Sequence, residues 1–117
     1  MAGTVFNPPL NMEPTRIESL REFVQKNPDD TFARYALCLE LRNQAPDEVW
    51  DHFQYLLTHH PDYSATYYQA GVFLAERGRE AEARQVFLKG LQITKRQGNL
   101  HAQTELQRAL DELEPRG

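Results

Sequence analysis

Three histidines and an aspartate lie close together near the middle of the sequence, and these side chains are common metal ligands. His52 and His59 are seven residues apart, so a helix would place them on one face, and His60 and Asp62 follow directly. A structural zinc site needs fixed ligands, usually four, and outer groups that orient them. The pattern supplies no fixed fourth ligand, and adjacent histidines before Pro61 are typical of exposed polar residues. We therefore expect no metal and no other cofactor.

Cys38 is the single cysteine and the obvious candidate for a thiol nucleophile. However, the sequence has no glycine-rich phosphate loop, no nucleophile elbow and no His-Glu-x-x-His motif, so no familiar catalytic motif accompanies this thiol. A lone cysteine forms no disulfide within the chain, which agrees with a reducing compartment. We predict that the chain is not an enzyme.

Length and composition are those of one soluble globular domain. The chain has 117 residues, of which 40% are hydrophobic and 26% charged, which is too apolar for a disordered chain. No apolar run is long enough to span a bilayer, and the first residues lack the basic region and long apolar stretch of a signal peptide. We expect a cytoplasmic protein with no membrane contact. The net charge of −4 predicts that it does not bind nucleic acid.

Charge is distributed unevenly along the chain. Residues 43–76 include five acidic side chains and no Lys or Arg, whereas residues 77–96 include six basic side chains against Glu80 and Glu82. The simpler interpretation is a set of solvated helix faces. The alternative is that the acidic stretch of one copy meets the basic stretch of another, which would make the protein a homo-oligomer.

The elements that must position these residues are helices. Thr15 and Glu18 have the spacing of a capping box, the segments around Pro28, Pro46 and Pro61 break the helical pattern, and Gly78 and Gly98 are placed as C-terminal caps. Strand signals are absent, so the sequence predicts an all-α protein of about six helices. The side chains expected to face the core are, helix by helix, Ile17, Leu20, Phe23 and Val24; Phe32, Ala33, Leu37 and Leu41; Val49, Phe53, Leu56 and Leu57; Ala70, Phe73 and Leu74; Ala83, Phe87, Leu91 and Ile93; and Ala102, Leu106, Ala109, Leu110 and Leu113.

The helices form a repeating pattern along the chain. Pro28-Asp29 recurs as Pro61-Asp62, and each pair is followed by a helix, a turn and a helix with a central phenylalanine. The second unit contains Tyr67-x-x-Ala70-Gly71-x-x-Leu74 and Ala83-x-x-x-Phe87, and the first matches it more loosely. This pattern, with its period of about 34 residues, resembles the tetratricopeptide repeat family. The resemblance implies a small stand-alone two-repeat protein, an α-solenoid of antiparallel helix pairs.

The repeats set the expected domain limits. We predict a flexible tail at residues 1–12 and one helical domain at 13–114, with repeats at about 31–61 and 64–97 and capping helices at 15–27 and 100–113. Arg34 departs from the family pattern, which has an aromatic residue at the start of the unit, and Lys95 replaces the closing proline. The fifth helix is therefore expected to continue to about residue 97.

Two glycines lie inside predicted helices, where each costs about 1 kcal/mol relative to alanine. Gly71 in the first helix of the second unit, and Gly90 with Ala83 in the second helix, would allow the two helices to approach closely. We expect Phe87 and Leu74 to fill the space between them. Cys38 stands at the position of Gly71 in the first unit, so it is expected to be a small buried residue.

The resemblance also implies where a partner would bind. In this family the first helix of each unit lines a concave groove that binds peptides or partner helices. The corresponding residues are Tyr35 and Leu39, then Tyr68 and Val72, then Thr104 and Arg108 if the last helix keeps register, with Gln69 and Arg108 as hydrogen-bonding groups. The two repeats carry no Lys, Asn or Arg at the four matching positions, so a clamp for a terminal carboxylate is not expected.

These features predict a protein–protein interaction adaptor or scaffold that binds a peptide or partner helix without catalysis. In one alternative, the groove side chains are packed against neighbouring helices or covered by Phe6 and Leu10 of the tail. In another, the protein is a homo-oligomeric module that assembles through its end faces or its charged surfaces.

Overall fold

Six α-helices make up the computed structural model, which describes residues 15–113; the tail prediction and the residues Phe6 and Leu10 lie outside this range. The helices are α1 (Arg16–Lys26), α2 (Thr31–Leu41), α3 (Pro46–His59), α4 (Ala65–Glu76), α5 (Glu80–Gln97) and α6 (Leu100–Leu113). Residues 15–113 contain no strand. The predicted all-α architecture of six helices is confirmed. No helix in this part of the chain is long and apolar enough to cross a membrane.

Local sequence signals fix the helix ends. The Thr15 hydroxyl accepts a hydrogen bond from the Glu18 N–H at 3.1 Å, and the Glu18 carboxylate accepts one from the Thr15 N–H at 3.0 Å, which forms the expected capping box. Pro46 opens α3 at a position where its missing N–H costs nothing. Gly78 and Gly98 follow α4 and α5 with φ of 75° and 69°, a conformation that glycine adopts without strain.

The core consists of two clusters of buried side chains. The first comes from α1, α2 and α3, with Ala70 and Phe73 of α4, and the second comes from α4, α5 and α6. Trp50, Leu57 and Val86 pack against both clusters and join them. The two clusters are therefore continuous, because α4 contributes buried side chains to both.

Two residues expected in the core are exposed instead. Phe23 is 45% exposed and Phe32 is 68% exposed. In α1 the inward stripe is Ile17, Leu20 and Val24, and Phe23 is rotated by one residue, about 100°, from Val24. Phe32 has the same offset from Ala33, which begins the buried face of α2. In both cases the prediction counted neighbouring apolar residues as one stripe.

The predicted close approach at the helix glycines is confirmed. A Cβ atom added to Gly71 would overlap the Phe87 ring, and one added to Gly90 would lie 2.6 Å from Cβ of Tyr67 and 3.0 Å from Cδ1 of Leu106. Gly71 thus brings α4 against α5, and Gly90 brings α5 against both α4 and α6. The packing gained offsets the helical cost of each glycine.

Arg34 occupies a position where the family has an aromatic residue, yet it makes the same kind of local contact as Tyr67, the equivalent residue of the second repeat. Its side chain is buried, and Nη2 donates a hydrogen bond to the Pro28 carbonyl at 2.8 Å. Tyr67, at the equivalent position of the second unit, donates its hydroxyl proton to the Pro61 carbonyl at 2.6 Å. In both units a long side chain on the first helix therefore donates a hydrogen bond to the carbonyl of the preceding proline.

Candidate functional site

α4 and α6 enclose two adjacent clefts, which we call the α4/α6 groove. The first cleft has a volume of about 260 Å³ and the second about 240 Å³. The first is lined by Tyr35, Ser64, Ala65, Tyr68, Gln69, Ala102, Glu105 and Leu106. The second is lined by Tyr68, Val72, Ala75, Glu76, Phe87, Ala109, Glu112 and Leu113. Tyr68 belongs to both clefts and therefore lies at the centre of the groove.

Four of the seven predicted binding residues line the groove. Tyr68 and Val72 are one helical turn apart on α4, and Tyr35 and Gln69 line the first cleft. Leu39 is 38% exposed on α2 and lines neither cleft. The structure thus places most of the predicted residues together, and their role in binding stays a prediction.

Thr104 and Arg108 are exposed and line neither cleft. The Thr104 hydroxyl donates a hydrogen bond to the Leu100 carbonyl at 3.0 Å, within its own helix. Ala102 and Leu106, which follow Tyr68 and Val72 by one repeat period, line the first cleft instead. The prediction placed the counterparts two positions further along α6, and two extra positions rotate a side chain around a helix by about 200°.

The polar groups of the groove differ in how far they are already engaged. The Gln69 side chain is engaged at both ends: Oε1 accepts a hydrogen bond from Arg42 at 3.0 Å, and the amide group interacts with the Tyr35 hydroxyl. Among the described residues, the Tyr68 hydroxyl has no hydrogen-bond partner. The Tyr35 ring makes an edge contact with Tyr63 at 5.6 Å, and burial raises the pKa of the Tyr35 hydroxyl. The Tyr35 phenol is therefore protonated near neutral pH.

Acidic side chains are the sole charged groups among the described residues that line the groove. Glu105 lies in the first cleft, and Glu76 and Glu112 lie in the second. Glu76 approaches Arg42 at 3.8 Å and Arg77 at 3.9 Å. The carboxylates are therefore compensated to different degrees, Glu76 more than the others.

The histidines do not converge on a metal site. Within residues 15–113 no three His, Cys, Asp or Glu side chains are placed to share an ion. The His52 Nδ1 atom is 3.0 Å from Nη1 of Arg34, and Nε2 is 3.5 Å from Glu48. Because an arginine can only donate, Nδ1 of His52 accepts and the ring is neutral. The His59 ring packs on Tyr55, with ring centroids 4.3 Å apart.

Cys38 is fully buried, as expected for a small residue at the Gly71 position. Burial raises the pKa of its thiol to about 12. Nucleophilic attack requires the thiolate. A thiol with this pKa is protonated near neutral pH and packs as an apolar group.

His52 is expected to make the protein less stable in mild acid. Burial lowers the pKa of His52, whereas an unfolded chain has a histidine pKa of about 6.5. Between these two values the unfolded chain binds more protons than the folded one. This contribution to stability is therefore fully present above about pH 6.5 and is lost as the pH falls through the folded pKa. Thermal unfolding at several pH values from about 7.5 to 5.0 measures the loss.

His52→Gln is the matched variant, because glutamine can still accept a hydrogen bond from Arg34 but does not titrate. Its melting temperature should fall less over the same pH range. The hydrogen bond from Arg21 lowers the pKa of Glu48, so the stability that Glu48 contributes is lost only below the range used. Equal pH dependence of the two proteins would contradict the assignment to His52.

Comparisons with known proteins agree with this architecture. No family model matches the chain, and no curated protein matches it. Among solved structures it is similar to a tetratricopeptide repeat domain protein from Salinibacter ruber, determined in solution, with 31% identity, a TM-score of 0.70, and coverage of 74% of this chain and 89% of that chain.

Two further solved structures are also similar. A crystal structure of a tetratricopeptide repeat domain protein from Salinibacter ruber has 29% identity and a TM-score of 0.68, with 73% of this chain and 96% of that chain covered. A protein from Bordetella parapertussis, solved in solution, has 25% identity and a TM-score of 0.73, with 86% and 89% covered. The helical-repeat arrangement predicted from the sequence period is confirmed by these structures.

Proposed function

The chain belongs to the tetratricopeptide repeat family, and on this basis we propose that it is a protein-interaction module that binds a peptide or a partner helix in the α4/α6 groove. The observation that carries the proposal is the placement of Tyr68. It lines both clefts, and its hydroxyl has no hydrogen-bond partner among residues 15–113. A tyrosine placed in this way offers a large apolar surface and a free polar group to a ligand.

The shape of the groove supports an extended or helical ligand. The two clefts follow one another along α4 and α6 and are joined at Tyr68. Leu106 in the first cleft and Phe87 and Ala109 in the second provide an apolar floor. An amphipathic helix or a peptide with apolar side chains at regular spacing would place those side chains in the two clefts in turn.

Binding is proposed rather than catalysis, because neither the lone cysteine nor His52 is available as a reactive group. The Cys38 thiol is buried with a pKa of about 12, and His52 is held by Arg34. We also propose a cytoplasmic location, since a chain with one buried free thiol has no disulfide of its own and suits a reducing compartment.

Tyr68→Arg should abolish the capture of partner proteins. Arginine at this position would introduce a charge into both clefts and remove the aromatic surface. Affinity capture from a lysate of the source cell, with bound proteins identified by mass spectrometry, compares the variant with the wild type. Gln92→Arg adds the same charge at an exposed position of α5 and should capture the same partners as the wild type.

Both variants should keep the wild-type circular dichroism spectrum. Equal capture by Tyr68→Arg and wild type would move the binding surface away from the groove. Unfolding of Tyr68→Arg would show that Tyr68 belongs to the core.

Self-assembly is the alternative with less support. Three residues of the basic stretch already make contacts within the chain: Arg77 with the Arg42 carbonyl at 3.0 Å, Arg79 with Glu82 at 2.7 Å, and Arg96 with Asp62 at 3.4 Å. These groups are less available to the acidic stretch of a second copy. Homo-oligomer formation stays a prediction, and light scattering at low and high salt would detect it.

A further inference from the structure

We propose that the α4/α6 groove selects a basic amphipathic segment, in which apolar anchors alternate with Lys or Arg. This inference rests on the proposed function and specifies the partner's chemistry. It follows from the charge of the groove: its described lining contains three glutamates, Glu76, Glu105 and Glu112, and no Lys or Arg. An apolar floor beside carboxylates of one sign favours a ligand with complementary charges.

Two of these carboxylates are poorly compensated by the protein. Glu105 is 3.7 Å from His101, which balances the charge only when the imidazole is protonated. Glu112 forms no ion pair with any other described residue. Arg108 is the basic residue nearest to both along α6, yet it pairs with neither. Glu105 and Glu112 are seven residues apart, so they lie on one face of the helix.

The centre of the groove also suits a cation. Tyr68 lies between the two clefts, and Glu105 and Glu112 belong one to each cleft. A Lys or Arg of the ligand could approach the Tyr68 ring while it pairs with one of these carboxylates, an arrangement that combines cation–π and ionic attraction. The cation–π part of this arrangement already occurs in the protein, where Arg34 lies 3.7 Å from the Tyr55 ring centroid.

Charge argues against the chain's own amino-terminal residues as the occupant. Residues 1–14 contain Phe6 and Leu10 but carry one acidic and no basic side chain, so they offer no complement to the glutamates. The basic stretch of a second copy is partly engaged within its own chain. A separate basic partner therefore fits the groove better than either.

The test is selection from a displayed library of random peptides of about 16 residues, long enough to cross both clefts as a helix. The full chain is the bait, and Tyr68→Arg serves to remove peptides that bind elsewhere. The retained peptides should be enriched in Lys and Arg over Asp and Glu relative to the starting library. Their affinity should fall as salt is raised from about 50 to 300 mM.

Charge reversal supplies the matched comparison. In the double variant Glu105→Lys and Glu112→Lys, the selected peptides should bind about tenfold more weakly or not at all. The double variant Asp51→Lys and Asp111→Lys changes the net charge equally at exposed positions outside the groove and should retain nearly full affinity.

The possible failures are distinguishable. Peptides that depend on Tyr68 but are not basic, or that bind the Glu105→Lys and Glu112→Lys variant unchanged, would overturn the charge inference and leave the groove as the binding site. A library that yields no peptide dependent on Tyr68 would overturn the proposed function as well. If a peptide of residues 1–14 or a second copy of the chain displaced the selected peptides, that segment or copy, and not an external partner, would be the occupant of the groove.

Discussion

Replacing Gly71 by leucine should destabilise the protein by about 3 kcal/mol, in spite of the gain in helix propensity of about 1 kcal/mol. A Cβ atom alone would overlap the Phe87 ring, and that ring is itself fully buried between α4 and α5. Leucine therefore forces the two helices apart or moves Phe87 from its position. Urea unfolding followed by circular dichroism measures the change in the free energy of unfolding.

Two further variants show whether the Phe87 contact is the cause. Ala81→Leu makes the same kind of change at an exposed position of α5 and should alter stability by less than about 0.5 kcal/mol. Phe87→Ala in the Gly71→Leu background should be less harmful than Phe87→Ala in the wild type, because the leucine then occupies the space of the ring. A loss within about 1 kcal/mol for Gly71→Leu would contradict the close-approach explanation.

Arg34→Ala should cost about 2 kcal/mol, a large effect for one arginine in a small domain. Arg34 is 8% exposed. It donates to the Pro28 carbonyl and to His52, and it packs on the Tyr55 ring. Truncation removes these contacts together and leaves two acceptors without their donor. Thermal and urea unfolding at neutral pH measure the loss.

The repeat supplies a sharper comparison for Arg34. Arg34→Tyr should be less harmful than Arg34→Ala, since Tyr67 shows that a phenol at this position of the unit reaches the proline carbonyl. Arg16→Ala removes an exposed ion pair with Glu40 and should cost less than about 0.5 kcal/mol. If Arg34→Ala were as mild as Arg16→Ala, the buried contacts of Arg34 would not contribute to stability as we infer.

Much of the architecture was predictable because the sequence carries it redundantly. Proline, glycine and capping residues mark the helix ends. Pro28 and Pro61 occupy equivalent positions, as do the small residues Cys38 and Gly71, which indicates two copies of one unit. Each signal is weak by itself, but all require the same six helices. The small residues were informative because close packing between helices tolerates little else at these positions.

Errors arose where a shift of one or two residues along a helix decides which way a side chain faces. Phe23 and Phe32 are apolar and adjacent to buried residues, yet a rotation of about 100° places them in solvent. The assignment of Thr104 and Arg108 assumed a register across the turn after α5 that the structure does not have. The length of a turn sets the register of the next helix, and the unit that would have shown it, a third full repeat, is absent from residues 15–113.

The role of Arg34 and the charge of the groove could be recognised only from the three-dimensional structure. Arg34 differs from Tyr67 in side-chain class, so no composition rule predicts that each donates a hydrogen bond to the proline carbonyl that precedes its own unit. Glu105 and Glu112 are ordinary surface residues in the sequence. They acquire a common environment only because α6 lies beside α4.

The helix α4 contributes buried side chains to both core clusters, so bending between the two halves of the array would disturb the core. Phe73 of α4 is buried in the first cluster and Leu74 in the second, and Trp50, Leu57 and Val86 pack across the boundary between them. The first cleft crosses it: Tyr35 packs against the first cluster and Tyr68 against the second. A ligand that contacts both tyrosines therefore meets side chains whose separation is set by this shared core, and the spacing of its own side chains must match that separation.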